Sequence, residues 1–224
     1  TRVRSSAASD VYKRQGIYRC FMHKNTVMAR RPFRKSPQPP LCRRNGLVIV
    51  RRACYHLYME KTLIFVNGTM GSGKTTVCRE LASLIADSVF LDGDWCWFSD
   101  PFKVDDATKK VVIDNISHCL NNFLACGSWR VVIFCWVMDD PTIAETVLKR
   151  LDLNGVRVLR FTLDIDDGEL RKRLEKDIRG GCRRPSVTAD AIKRLPLYAD
   201  HPTIHIDVSE LTAKGVANKI LSYL

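Results

Sequence analysis

The chain has 224 residues, 46% hydrophobic and 27% charged, with a formal net charge of +12, which is enough for one domain with a sizeable core. No stretch approaches the ~20 apolar residues of a membrane-spanning helix, so insertion by that route is excluded. Nine cysteines without C-x-x-C spacing or a companion histidine cluster argue against a zinc site and for free thiols in a reducing, cytoplasmic compartment.

The charge is unevenly shared. Residues 1–58 hold 14 Lys and Arg against Asp10 alone, net +13, leaving 22 basic against 23 acidic residues, net −1, for residues 59–224. Pairs such as Arg30-Arg31 and Arg43-Arg44, interrupted by Pro32, Pro37, Pro39 and Pro40, read as a disordered tail. Ser5 to Gln15 resembles translated adaptor sequence, and the expectation is that the native protein begins at Met59. A basic arm for phosphate backbones and an Arg-rich transit peptide are the alternatives. The division is therefore 1–58, a basic and non-native or disordered segment, and 59–224, the globular domain.

Within that domain, Leu63 to Val66 is a short apolar run suited to a central parallel strand, and the next residues complete G-x-x-x-x-G-K-[ST] from Gly68 to Thr75. Such a loop turns backbone N–H groups around a phosphate. Gly68, Met70, Gly71, Ser72, Gly73, Lys74, Thr75 and Thr76 are the nucleotide-binding candidates, with Lys74 on the β/γ oxygens and the Thr75 hydroxyl toward Mg²⁺. Val77, Leu81, Leu84 and Ile85 follow at helical spacing.

Val89 to Leu91 reads as a second strand, closed by Asp92-Gly93-Asp94-Trp95. If the ends of neighbouring strands meet, Asp92 lies near the γ-phosphate and Asp94 points toward an acceptor. A polar turn closing a strand is the blander alternative. A helix is expected from about Val104 to Ala125, stopped by Gly127, with Val112, Ile116, Cys119 and Phe123 on one face. Arg130 to Val137 reads as a buried strand, and Asp140-Pro141 as the start of the next helix. Val156 to Leu163 is a strand, and a charged helix begins at Asp166-Asp167 and ends at Gly180-Gly181. A short helix near 189–195 precedes the strand Thr203 to Ile206, and Ser209 is expected to cap the last helix.

Arg179, Arg183 and Arg184 flank the glycine pair, where a mobile flap can deliver positive charge to a transferring phosphoryl group; these three are the catalytic candidates beside Lys74 and Asp92. Arg171 and Arg173 read instead as a solvated charged face. His118 and His205 receive no role, and no serine or cysteine nucleophile motif occurs.

These residues resemble the small P-loop kinases grouped with shikimate kinase, gluconate kinase, adenylylsulfate kinase and chloramphenicol phosphotransferase, and the AAA-type ATPase or nucleotide kinase-like proteins near them. The resemblance runs from about Lys61 to Leu224. It is carried by Gly68 to Thr76, Leu91-Asp92-Gly93-Asp94 and the late arginine-rich segment. It implies an α/β P-loop NTPase three-layer sandwich with a five-stranded parallel sheet and a small lid. It also implies that Asp92 holds Mg²⁺ or activates the acceptor, and that Asp94 contacts the acceptor.

Two departures stand out. The strand ending at Val137 lacks a terminal acid, so Thr75 and Asp92 take the metal role, with Asp139 kept as a further candidate. Trp95, Trp97 and Phe98 are outside the general pattern, and Trp95 and Trp97 join Asp94 as acceptor-binding candidates, with a core role as the alternative. The function expected is ATP- and Mg²⁺-dependent transfer of phosphate to a small hydroxyl-bearing acceptor. An ATP-binding switch or slow ATPase, and a nucleic-acid 5′-hydroxyl kinase using the basic segment, are the other classes; nucleic acid is otherwise not an expected partner.

Overall fold

The computed structural model describes residues 60–97 and 99–224. The expected boundary at Met59, the reading of residues 1–58 and Phe98 lie outside the described residues.

Alternation along the first strand sets the layers. β1 (Lys61–Asn67) sends Ile64 and Val66 to one core and Leu63 and Phe65 to the other, as a strand covered on both faces must. Further strands are β2 (Ser88–Asp92), β3 (Val131–Cys135), β4 (Val156–Asp164) and β5 (Ile204–Asp207), and the sheet order is β2-β3-β1-β4-β5. Every pairing is parallel. Phe65 lies opposite Phe134 in the β1–β3 register, their rings 4.8 Å apart edge to face. The five-stranded parallel sheet expected from the sequence is present, with helices on both faces. One expectation changes: β2 does not adjoin β1, because β3 lies between them.

Six α-helices occur among the described residues, five between strands and one after the last: α1 (Lys74–Leu84), α2 (Asp106–Ala125), α3 (Pro141–Leu148), α4 (Asp167–Arg179), α5 (Val187–Arg194) and α6 (Ala213–Leu221). Val77, Cys78 and Leu81 of α1 share one core with Val216, Ala217 and Ile220 of α6, while Val112, Ile116 and Leu120 of α2 share the other with Ala144 and Val147 of α3. Caps explain most boundaries. Asp105 and Thr108 form a reciprocal capping box on α2, Asp140 accepts from Thr142 N–H at 2.8 Å with Pro141 next, and Asp166 accepts from Glu169 N–H at 2.9 Å. Lys61 Nζ donates to the Cys126 carbonyl at 2.6 Å and to that of Leu124, placing a cation on the negative end of α2.

Ser209 does not cap the last helix. Its hydroxyl is engaged locally, donating to Asp207 Oδ1 at 2.7 Å and accepting from Asp166 N–H at 3.0 Å. The cap is Thr212, whose Oγ1 accepts from Gly215 N–H at 3.1 Å. Among the described residues no helix is long and apolar enough to cross a membrane.

Candidate functional site

The loop between β1 and α1 is shaped by what packs on it. Gly71 has φ +89°, and a Cβ there would stand 2.8 Å from Leu174 and 2.9 Å from Leu170, so α4 rests directly on the loop backbone. Arg173 adds a clamp: Nη1 donates to the Ser72 carbonyl at 3.3 Å, Nη2 to the Val208 carbonyl at 2.7 Å, and Nε to Glu169 at 2.9 Å. In a planar trans peptide the C=O and N–H point opposite ways, so holding the Ser72 carbonyl outward turns the Gly73 N–H inward. On the far side, Thr69 Oγ1 donates to the Ala191 carbonyl at 2.9 Å, tying the loop to α5.

Lys74 opens α1 with its side chain buried, and its Nζ donates to the Thr69 carbonyl at 2.9 Å. Burial pushes its ammonium below the usual lysine range, while the charges of Asp94 and Asp92 act in the opposite sense. Thr75 Oγ1 donates to Asp92 Oδ2 at 2.6 Å, and Asp94 N–H donates to Asp92 Oδ1 at 3.1 Å. Asp92 ends β2 and caps the single turn Gly93–Cys96, so both its oxygens are oriented and it is 5% exposed. The contact crosses two strands because α1 packs over β3 and β2 rather than over β1 alone.

Met70, Gly71, Gly73, Lys74, Thr75 and Thr76 face Asp92, Asp94, Trp136, Val137 and Arg183 around a cleft of about 450 Å³ that opens to solvent. The Trp136 indole forms its floor: a Cβ on Gly93 would come within 2.5 Å of the ring, so only glycine lets the turn sit down on it. Asn67, at the end of β1, fastens the segment behind Trp136. It donates to the Met138 carbonyl at 2.8 Å, accepts from Met138 N–H at 2.9 Å, and its amide lies 3.1 Å from His201 Nδ1.

The remaining candidates divide. Arg183 lines the cleft and donates to Asp177 at 2.9 Å. Arg184 is half-buried outside the cleft lining, and Arg179 is exposed on the outer side of α4, its Nε on the Glu175 carbonyl. Asp139, kept as a metal candidate, is taken by Arg194 at 2.7 Å. Trp95 is 43% exposed and turns against Phe90, ring centroids 5.2 Å apart, rather than into the cleft. Trp97 lies behind the wall, 6.1 Å from Trp136 and 5.8 Å from Phe102.

Two residues escaped the sequence reading. Trp136 sat inside an apolar run with nothing to separate a cleft residue from a core one. Arg173 did carry a signal, since it directly precedes Leu174 and follows Leu170 by three positions, at the edge of the buried stripe of α4; it is not part of a solvated face.

The oxygen donors at this point suit a hard cation. A hydroxyl and one carboxylate, with Asp94 nearby, match a magnesium ion that keeps phosphate and water oxygens as its other ligands. Among the described residues there is no cluster of three His, Cys, Asp or Glu side chains able to hold a metal alone.

Comparison with known proteins agrees with this geometry. A family model described as AAA domain matches residues 64–184. The shikimate kinase of Colwellia psychrerythraea is 27% identical over 179 residues, covering 74% of this chain and 98% of that protein. Among solved structures, the tunicamycin resistance protein of Deinococcus radiodurans aligns with a TM-score of 0.54 at 21% identity, covering 73% of this chain and 95% of that one. A gluconokinase from Sinorhizobium meliloti aligns with a TM-score of 0.52 at 16% identity, covering 74% and 95%. The two structures share the fold.

Proposed function

Since the chain belongs to the AAA domain family, and within it to the small P-loop kinases, we propose that it transfers the terminal phosphate of ATP, with Mg²⁺, to a small hydroxyl-bearing acceptor. One observation carries this reading: the phosphate loop with Lys74 and the carboxylates Asp92 and Asp94 line a single cleft. A nucleotide switch needs the first half of that arrangement and has no use for the second.

In this reading the loop amides and Lys74 hold the β and γ phosphates, and Thr75 with Asp92 hold the magnesium ion, which neutralises phosphate charge when bound. Asp92 also orients the attacking hydroxyl and draws off its proton late, and Asp94 binds the acceptor over the Trp136 floor. Arg183, steadied by Asp177, supplies charge to the equatorial oxygens. The free cysteines of the described residues fit a reducing, cytoplasmic setting.

The test uses Asp92→Asn, whose amide oxygen can accept from Asp94 N–H while its NH2 donates to the Thr75 hydroxyl, which then acts as acceptor. Turnover measured as labelled phosphate leaving ATP for a pooled metabolite extract should fall roughly 10²–10⁴-fold, while nucleotide affinity stays within about a factor of three. Unchanged turnover would reduce Asp92 to a turn residue and remove the catalytic account.

A further inference from the structure

Trp136 and Val137 line the cleft just beyond the end of β3, where the sheet no longer supports them. The β1–β3 register runs from Thr62 opposite Val131 to Val66 opposite Cys135, and Trp136 N–H donates to the Val66 carbonyl at 3.3 Å. One residue after Asn67, β1 gives way to the phosphate loop, with Gly68 at φ +141°. The backbone groups of Met138 then need partners from elsewhere.

The Asn67 side chain supplies them. Its Oδ1 accepts from Met138 N–H at 2.9 Å and its Nδ2 donates to the Met138 carbonyl at 2.8 Å, the two bonds that a further peptide group of β1 would have made. Because Met138 N–H requires an acceptor, the amide oxygen is fixed on that side and both amide hydrogens lie on Nδ2. One goes to Met138. The other meets His201 Nδ1 at 3.1 Å, so that nitrogen carries no proton and the ring hydrogen sits on Nε2, 3.3 Å from the Asp139 carbonyl. Asn67 is 4% exposed and His201 5%, so water does not compete for these bonds.

His201 ends a strut that crosses the mouths of both strands. From α5 through the single turn Leu195–Tyr198, this stretch receives Thr69 Oγ1 on the Ala191 carbonyl at 2.9 Å, pairs Arg194 with Asp139 at 2.7 Å, and closes on Asn67 and the Asp139 carbonyl through the His201 ring. The phosphate loop and the segment carrying Trp136 are thereby fastened to each other and to one common support.

We infer that Asn67 and His201 are positioning residues for phosphate transfer: together they fix Trp136 and Val137 relative to the phosphate loop, with His201 acting as its Nε2–H tautomer. This rests on the phosphotransferase reading and deepens it, since neither residue is among the described lining of the cleft. A displacement of about 1 Å caused by a change away from the chemistry can lower a rate by ~10²-fold. ATP is held by the loop amides and Lys74, so its affinity is the quantity that a change at His201 spares.

The experiment compares the full wild-type chain with His201→Leu and His201→Asn, measuring ADP release with ATP, Mg²⁺ and a pooled metabolite extract, and the Kd for ATP by calorimetry. His201→Leu should lower the extract-dependent release by about tenfold or more, while the Kd stays within about a factor of three. Asparagine brings an amide oxygen close to the position of the lost Nδ1, so His201→Asn should recover release to within about threefold of wild type. Nitrogen NMR of the isotopically labelled wild type should show the His201 ring protonated at Nε2 alone, a result that depends on no variant folding. Undiminished release in His201→Leu, a Kd weakened in step with release, no recovery in His201→Asn, or a proton on Nδ1 overturns this inference and leaves the phosphotransferase reading intact. A wild type that the extract does not stimulate overturns both.

Discussion

Lys74 meets a burial cost before any phosphate reaches it. Its ammonium is enclosed, and its affinity for the proton is lowered chiefly by that enclosure. A lysine whose folded pKa lies below its unfolded value binds fewer protons when folded, so the nucleotide-free protein should gain stability as pH rises toward the ordinary lysine value. Lys74→Met removes the buried charge. It should raise the melting temperature of the nucleotide-free protein while lowering phosphate transfer by at least roughly 10²–10³-fold, and a lower melting temperature would contradict the burial argument. His205 behaves oppositely. Its Nε2 lies 2.9 Å from the His201 carbonyl and its Nδ1 2.9 Å from Asp164, both acceptors, and these contacts, the carbonyl first, raise its pKa. The stability it adds is complete below the ordinary histidine value and is lost as pH rises through the raised one. The side chain is partly exposed and screened, so the effect is small. Melting curves on both sides of neutrality should show a slope that His205→Gln removes.

At the scale of elements, caps and register account for more than composition does. Thr212→Ala should destabilise the protein by about 1 kcal/mol through loss of the α6 cap, read from chemical denaturation. Leu81, fully buried between α1 and the sheet, should cost about 2–5 kcal/mol when cut to alanine. Strands and helices were legible because their periods are local: the Leu63–Val66 run, the Asp140-Pro141 start and the 3.6-residue spacing of α2 all lie within a few turns of chain. The order of the strands was not. Nothing in Val89–Leu91 says whether its neighbour is β1 or β3, since sheet pairing is chosen by distant partners. The same holds for the site. The phosphate loop and Asp92 were legible as motifs, whereas Trp136 became visible only once Gly93 was seen pressed against it, and Ser209 misled because Asp207 competes for its hydroxyl.

For the molecule as a whole, the division of charge makes a prediction. Residues 59–224 are near neutral and contain every described residue of the cleft lining, so a chain lacking residues 1–58 should keep its phosphate transfer within about twofold. Loss of transfer together with a shallower salt dependence would favour a nucleic-acid acceptor held by the basic segment. Magnesium and ATP should raise the melting temperature by mass action, by the equivalent of about 2.7 kcal/mol at a hundredfold excess over Kd, and Lys74→Ala should suppress that rise. The interposed strand has a geometric outcome. With β3 between them, the ends of β1 and β2 stand roughly 9.6 Å apart, twice the interstrand spacing. Side-by-side strands would leave half that gap between the end of β1 and Asp92. In the proposed reaction the sheet's stacking order is the ruler that spaces the phosphate loop from Asp92, and a single long-range pairing choice sets it.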